Sequence, residues 1–198
     1  MEKQIIIAVS REFGSGGHAV AEKIAEDLGL AFYDRKMLDE IAKEKNIKIE
    51  YLEKYDEKPR KIILSRRVGN YSNSIEEILA EMQFEYIAKK ADSGESFVIV
   101  GRCAETVLKD REGLISIFIL GDREDKIKRV QERTGLDREQ TIAKMKRHDF
   151  NRKHYHNRHS DKKWGDSRNY DLCVNSSKLG LDKTVEVIEA FIKARISE

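Results

Sequence analysis

Residues 5–29, IIIAVSREFGSGGHAVAEKIAEDLG, decide the fold. The branched apolar run Ile5–Val9 predicts a buried strand. After the glycines, Val20, Ile24 and Leu28 recur every four residues with Ala21 and Ala25 beside them. That spacing predicts an amphipathic helix starting near Gly17 and stopped by Gly29. Strand, glycine turn and helix in this order place Phe13–Gly17 at a helix N-terminus, where unpaired N–H groups and the helix dipole attract an anion. Glycines let successive amides approach phosphate oxygens; the other reading is a tight turn that binds nothing. Laid on the consensus G-x-x-x-x-G-K-S/T, Gly16 takes the second glycine, Ser10 the first, Gly17 the lysine and His18 the hydroxyl residue. No ammonium extends from the helix start. Arg11, within the loop, is placed to supply charge from another direction, and Ser15 to offer an oxygen.

Outward from this stretch, Phe97–Val100 and Ile115–Leu120 read as further interior strands, Tyr170–Val174 as a weaker one and Ala31–Tyr33 as a very short one. Helical patterns alternate with them: a stripe of Ile75, Ile78, Leu79, Met82 and Ile87, a start at Ile127 and Val130, and a last stripe of Val185, Ile188 and Ile192. The alternation predicts an α/β fold with a doubly wound, five-stranded parallel sheet flanked by helices. Two charged stretches depart from that frame, Lys36 to about Ser74 and Lys144 to Arg168, and both have the composition of surface insertions that close over a ligand.

Several charged groups fall at the expected C-terminal edge of the sheet, where such folds bind ligands. Asp34, in "LAFYDRK", is a candidate acceptor contact or a cap for the next helix. Arg102, in "VIVGRCAE", follows a buried strand directly and points to the same crevice. Arg129 and Arg133 share a helix face, and "KRHDFNR" adds Arg147, Asp149 and Arg152. Arginines on a closing lid neutralise phosphates and exclude water; taken singly, each reads as a solvated face. His154, His156 and His159 with Asp161 match no zinc spacing, so no metal site is expected of the protein itself. Tyr155 and Trp164 either stack on a base or pin the lid.

The 198 residues fit a single domain. Lys and Arg number 38 against 36 Asp and Glu, a balance that argues against a nucleic-acid or membrane binder. No apolar run has bilayer length, and the N-terminus lacks a small-residue cleavage site, so a cytoplasmic location is expected. Cys103 and Cys173 read as reduced packing residues.

Taken together, "VSREFGSGGHAVAEKIAEDLG", "FYDRKML", "VIVGRCA", "RHDFNR" and "YDLCVNSSKLGLDKTVEVI" resemble the cytidylate kinase-like family of nucleoside monophosphate kinases over nearly the whole chain. The resemblance implies a P-loop kinase fold with a helical acceptor-binding insertion at about 36–95 and a lid at about 144–168. It also implies transfer of the ATP γ-phosphoryl group to a nucleoside monophosphate, CMP or dCMP, with Mg²⁺ held mainly through the phosphates. Under it, the amides of Gly14, Ser15, Gly16, Gly17 and His18 hold donor phosphates, and Asp34 and Arg102 help hold the acceptor. Arg129, Arg133, Arg147 and Arg152 stabilise the transferring charge, and Asp149 orients the lid arginines. The lysine and threonine of true cytidylate kinases match Gly17 and Ala19 here, and their cytosine-reading aspartate matches Cys103. The expected partners are small nucleotides, with a homo-oligomer left open. The alternatives are a nucleotide-binding regulatory module with little or no turnover and, against the near-neutral charge, an RNA-associated protein.

Overall fold

The computed structural model describes residues 3–56, 67–68, 71–72 and 74–197. Five parallel strands form one sheet: β1 (Ile6–Arg11), β2 (Ala31–Tyr33), β5 (Phe97–Val100), β6 (Leu114–Leu120) and β7 (Leu172–Asn175). Their spatial order is β2-β5-β1-β6-β7. The short strands β3 (Arg67–Val68) and β4 (Tyr71–Ser72) pair antiparallel outside this sheet. The helices are α1 (Gly17–Asp27), α2 (Met37–Glu44), α3 (Ile49–Tyr55), α4 (Ile75–Asp92), α5 (Ala104–Val107), α6 (Arg123–Thr134), α7 (Arg138–His159) and α8 (Ser176–Ile196). Most of "KPRKIILSRR", including Pro59, lies outside the described residues.

Strand β1 is central, bonded to β5 on one side and β6 on the other, so chain connections diverge from its C-terminal end. Its side chains alternate between two cores. Ile6 and Ala8 join Phe97 and Ile99 under α2 and α4, while Ile7 and Val9 join Val98, Val100 and Ile117 under α1 and α8. A sheet covered on both faces needs continuous apolar strands, which explains the unbroken branched runs. A third, small core of Ile127, Val130 and Met145, with Phe13 and Ile142 against it, holds α6 and α7 to the glycine loop.

The sequence pattern underestimated two elements. Strand β1 continues past Val9 because β6 runs on beside it, pairing Ser10 with Phe118 and Arg11 with Ile119. Arg11 therefore leaves the sheet from a fixed strand position rather than from the loop. The polar stretch after Lys144 belongs mostly to α7, a helix of 22 residues. It holds no glycine or proline, and Asp137 caps it by accepting from the Gln140 amide at 2.8 Å. On α4 the buried face runs through Leu79, Gln83, Tyr86 and Ile87, while Ile78 turns to solvent.

Ile7 is fully buried at the middle of the sheet, so Ile7→Ala is expected to cost about 2–5 kcal/mol by chemical denaturation. Val187→Ala on the exposed face of α8 should stay within about 0.5 kcal/mol.

Candidate active site at the glycine loop

Between β1 and α1 the chain turns through Gly14 at φ +84° and Gly16 at φ +80°, a region only glycine enters without strain. A Cβ at Gly14 would also press on Val130 Cγ2 at 2.9 Å and on the Lys126 carbonyl at 3.0 Å. Ser15 is fully buried; its hydroxyl donates to the Glu12 carbonyl at 2.9 Å and accepts from the Gly17 amide at 3.3 Å. With those bonds made, the amides of Gly14, Gly16, His18 and Ala19 have no acceptor among the described residues. They border a cavity of about 530 Å³ that Arg11, Arg129, Arg133 and Arg152 also line. Free amides at the start of an eleven-residue helix, with guanidinium groups around them, make a site for a polyanion.

The vacant lysine position has a steric cause. The stem of Arg11 runs over Gly17, where an added Cβ would stand 2.7 Å from Arg11 Cβ. The guanidinium continues to Gly101 at the end of β5, where a Cβ would collide with Arg11 Nη1. A Cβ at position 17 would force the Arg11 stem or the helix start to shift, whereas at Gly101 only the mobile end of the Arg11 side chain would have to move.

The other arginines arrive by different routes. Arg129 reaches under the loop, donating from Nη1 to the Ser15 carbonyl at 3.2 Å and to Ser176 Oγ at 3.1 Å. Phe13 gathers the rest: His148 stacks on it at 4.3 Å, and Arg133 and Arg152 lie over its ring at 5.4 and 5.6 Å. The Phe13 amide donates to Asp149 Oδ1 at 2.7 Å, and Arg152 donates to the Arg11 carbonyl at 3.2 Å, so α7 is hydrogen-bonded to the loop itself. Burial raises the pKa of Asp149 above its ordinary value, and the Phe13 amide and Arg152 offset this only in part. Arg147, one residue before His148, is exposed and does not line the cavity.

Asp34 and Arg102 stand beside this cavity rather than in its lining. Asp34 has two partners: one oxygen accepts from the Lys36 amide at 2.8 Å, in the turn before α2, and the other meets His18 Nε2 at 2.9 Å. Burial pushes its pKa up, but the His18 contact and the Lys36 amide outweigh it and hold the carboxyl below the ordinary range. Arg102 is almost wholly buried and pairs through both terminal nitrogens with Asp56, at 2.5 and 2.9 Å.

Some participants carried no signal in the sequence. Glu12 accepts from Lys126 at 2.6 Å and from the Gly121 amide at 3.2 Å, which ties the loop to the start of α6. Phe13 was legible only as a loop residue. The three histidines separate: His156 is buried against Glu105 at 2.6 Å, His154 stacks with Phe150, and His159 packs on Phe84 and Tyr155. Burial, helped by Arg158, lowers the His159 pKa to about 4. No group of three or more His, Cys, Asp or Glu is placed to hold a metal ion among the described residues. Tyr155 donates to Gln83 at 3.1 Å, and Trp164 meets Phe118 edge-on.

A five-stranded parallel sheet whose central strand runs into a glycine loop and helix defines a P-loop kinase fold. A shikimate kinase from Bacteroides thetaiotaomicron shares that fold, with TM-score 0.55 at 11% identity over 96% of this chain and 98% of its own. The profile of the cytidylate kinase-like family matches residues 6–178, and the chain belongs to that family. It is similar to a cytidylate kinase of Pyrococcus horikoshii, 28% identical over 191 residues, 96% of this chain and 88% of the relative. It is also similar to the structure of an uncharacterized protein from Eubacterium ventriosum, with TM-score 0.76 and 42% identity over 96% of this chain and 99% of the other. Family and fold make the protein a nucleotide kinase-type phosphotransferase. No described helix is long and apolar enough to cross a membrane.

Because the folded-state pKa of Asp149 is raised, its ionised form weighs on stability once the unfolded chain ionises, near the ordinary 3.8. Asp149→Asn keeps an oxygen for the Phe13 amide and removes the buried charge. The variant should gain stability relative to the parent as pH rises from about 3 through the carboxylate range, read from paired thermal melts. A relative loss over that range would contradict the raised pKa.

Proposed function

We propose that the protein transfers the γ-phosphoryl group of ATP to a nucleoside monophosphate, CMP or dCMP being the expected acceptors. The observation that carries this reading is the single cavity where unbonded loop amides meet Arg11, Arg133 and Arg152. An acceptor phosphate oxygen attacks the γ-phosphorus, the bond to the β–γ bridging oxygen breaks, and ADP leaves with the electron pair. Such an acceptor is already ionised at neutral pH, so the step needs positioning and charge neutralisation rather than a base. The amides of Gly14, Gly16, His18 and Ala19 hold the donor phosphates, and Arg129 keeps the loop in shape through the Ser15 carbonyl. Arg11 stands in for the lysine, entering across Gly17 toward the end of β5. Arg133 and Arg152 approach from the α6–α7 side as a lid, with Asp149 latching it to the Phe13 amide.

The loop residues fit the polyphosphate, and no protein-side magnesium site is built among the described residues. Positions 17 to 19 carry no hydroxyl, and the Ser15 hydroxyl is committed within the loop. Magnesium therefore comes with the nucleotide, held through its phosphates, and neutralises charge there. A regulatory module that binds nucleotide without turnover is the second reading. It is favoured by the absence of an ammonium at position 17 and by the pairing of Arg102 with Asp56.

The test is acceptor-dependent ADP release with CMP, dCMP, UMP and AMP, alongside calorimetric nucleotide binding. Turnover with a pyrimidine monophosphate is expected, and Arg11→Ala should lower kcat/KM by about 10²–10³-fold, the scale of one lost preorganised donor. Tight binding without turnover would favour the regulatory reading, and absence of binding would reject both. Full activity in Arg11→Ala would remove Arg11 from its assigned role.

A further inference from the structure

A second cavity, of about 340 Å³, opens between α6, α7 and the segment that carries Trp164, and it shares no lining residue with the glycine-loop cavity. Ile127 and Met145 of the small third core give it an apolar wall. Two aromatic rings border it. Phe150 of α7 is 62% exposed, more than any other large apolar side chain among the described residues, and its ring stacks with His154 at 6.0 Å. Trp164 is fixed by its amide, which donates to Asn157 Oδ1 at 2.8 Å, and by its edge-on contact with Phe118. One ring in solvent is ordinary, but two on the rim of one cavity make a platform for a third.

The same cavity is lined by Arg123, Lys146 and Lys153, none of which has a hydrogen bond or ion pair among the described residues. Little charge opposes them. Asp149, the carboxylate in the lining, is bonded to the Phe13 amide and lies 3.9 Å from Arg152, while Lys126 is paired with Glu12.

We propose that this cavity is a second nucleotide site, taking a nucleoside monophosphate with its base against Phe150 and Trp164 and its phosphate among Arg123, Lys146 and Lys153. A phosphate dianion gives the three cations charge-assisted hydrogen bonds, and any base offers a face that stacks on an aromatic ring. The volume falls at the lower end of the roughly 300–1,000 Å³ of ligand pockets, which suits a mononucleotide better than a larger ligand. The balance of 38 basic and 36 acidic residues argues against a nucleic-acid strand as the occupant. The site stands apart from the transfer reading, in which Phe150, Lys146 and Lys153 have no part.

Trp164 is the sole tryptophan of the chain, so its emission reports on this cavity. Titrating the full chain with AMP and CMP, without ATP or magnesium, should change that emission saturably. Adenosine and cytidine, lacking the phosphate, should bind at least about tenfold more weakly. Phe150→Ala, and Lys146→Glu combined with Lys153→Glu, alter exposed side chains and should leave the fold intact. Each should weaken the response to both nucleotides at least about tenfold, whereas Arg11→Ala at the glycine loop should leave it unchanged. Calorimetry with AMP on the same proteins makes the comparison where emission is insensitive. Binding that survives both sets of substitutions overturns the proposal. So does a response lost in Arg11→Ala, because Trp164 would then be following the glycine loop, and so does tighter binding of a single-stranded oligonucleotide than of AMP. Nucleotide binding at this cavity without any turnover supports the site while counting against the kinase reading. Turnover with no binding here does the reverse.

Discussion

The side chain of Arg11 can cross the C-terminal edge of the sheet because Gly17 offers no Cβ in the way of its stem. That clearance organises the site. It empties the position from which a P-loop lysine would extend and brings a guanidinium to the junction of β1 and β5. A lysine on α1 would extend from the helix start, whereas the Arg11 side chain rises from the strand beneath. Its backbone is pinned twice, by pairing with Ile119 and by the Arg152 bond to its carbonyl. The charge is therefore anchored in the sheet, and α7 registers against the same residue.

Around that arginine, polar pairs connect segments distant in sequence. Glu12 with Lys126 joins the loop to α6, Asp149 with the Phe13 amide joins it to α7, Arg102 with Asp56 joins α3 to β5, and His156 with Glu105 joins α7 to α5. Such pairs cost desolvation and add little net stability, so their contribution is to fix one arrangement among several that the apolar cores would allow. The small core of Ile127, Val130 and Met145 is modest beside the two main cores. Registration of α6 and α7 on the loop therefore leans on polar contacts, which suits elements proposed to move when nucleotide binds.

Much of the frame was legible in the residues. Ala31–Tyr33 and Phe97–Val100 coincide with β2 and β5, and the helix after "GSGG" starts at Gly17 as its spacing implied. Local pattern failed where a neighbour decided. The extension of β1 to Arg11 needed β6 alongside it, and Ile78 faces solvent because the packing face of α4 is set by α2 and α5. The charged stretch after Lys144 read as a surface insertion, yet most of it continues α7, because polar residues without glycine or proline retain helix propensity.

The sequence by itself determined the parallel sheet, the loop at its central strand and the basic character of the site. Apolar runs of branched residues, glycine placement and helical periodicity are properties of contiguous chain. Only the tertiary structure decided which charges meet. Arg11 turned toward Gly101, Asp56 came to Arg102, and Arg147 stayed in solvent although its near neighbours Asp149 and Arg152 dock on the loop. A charge acquires its partner from the packing of remote elements, and a formal charge in the sequence carries no record of that direction.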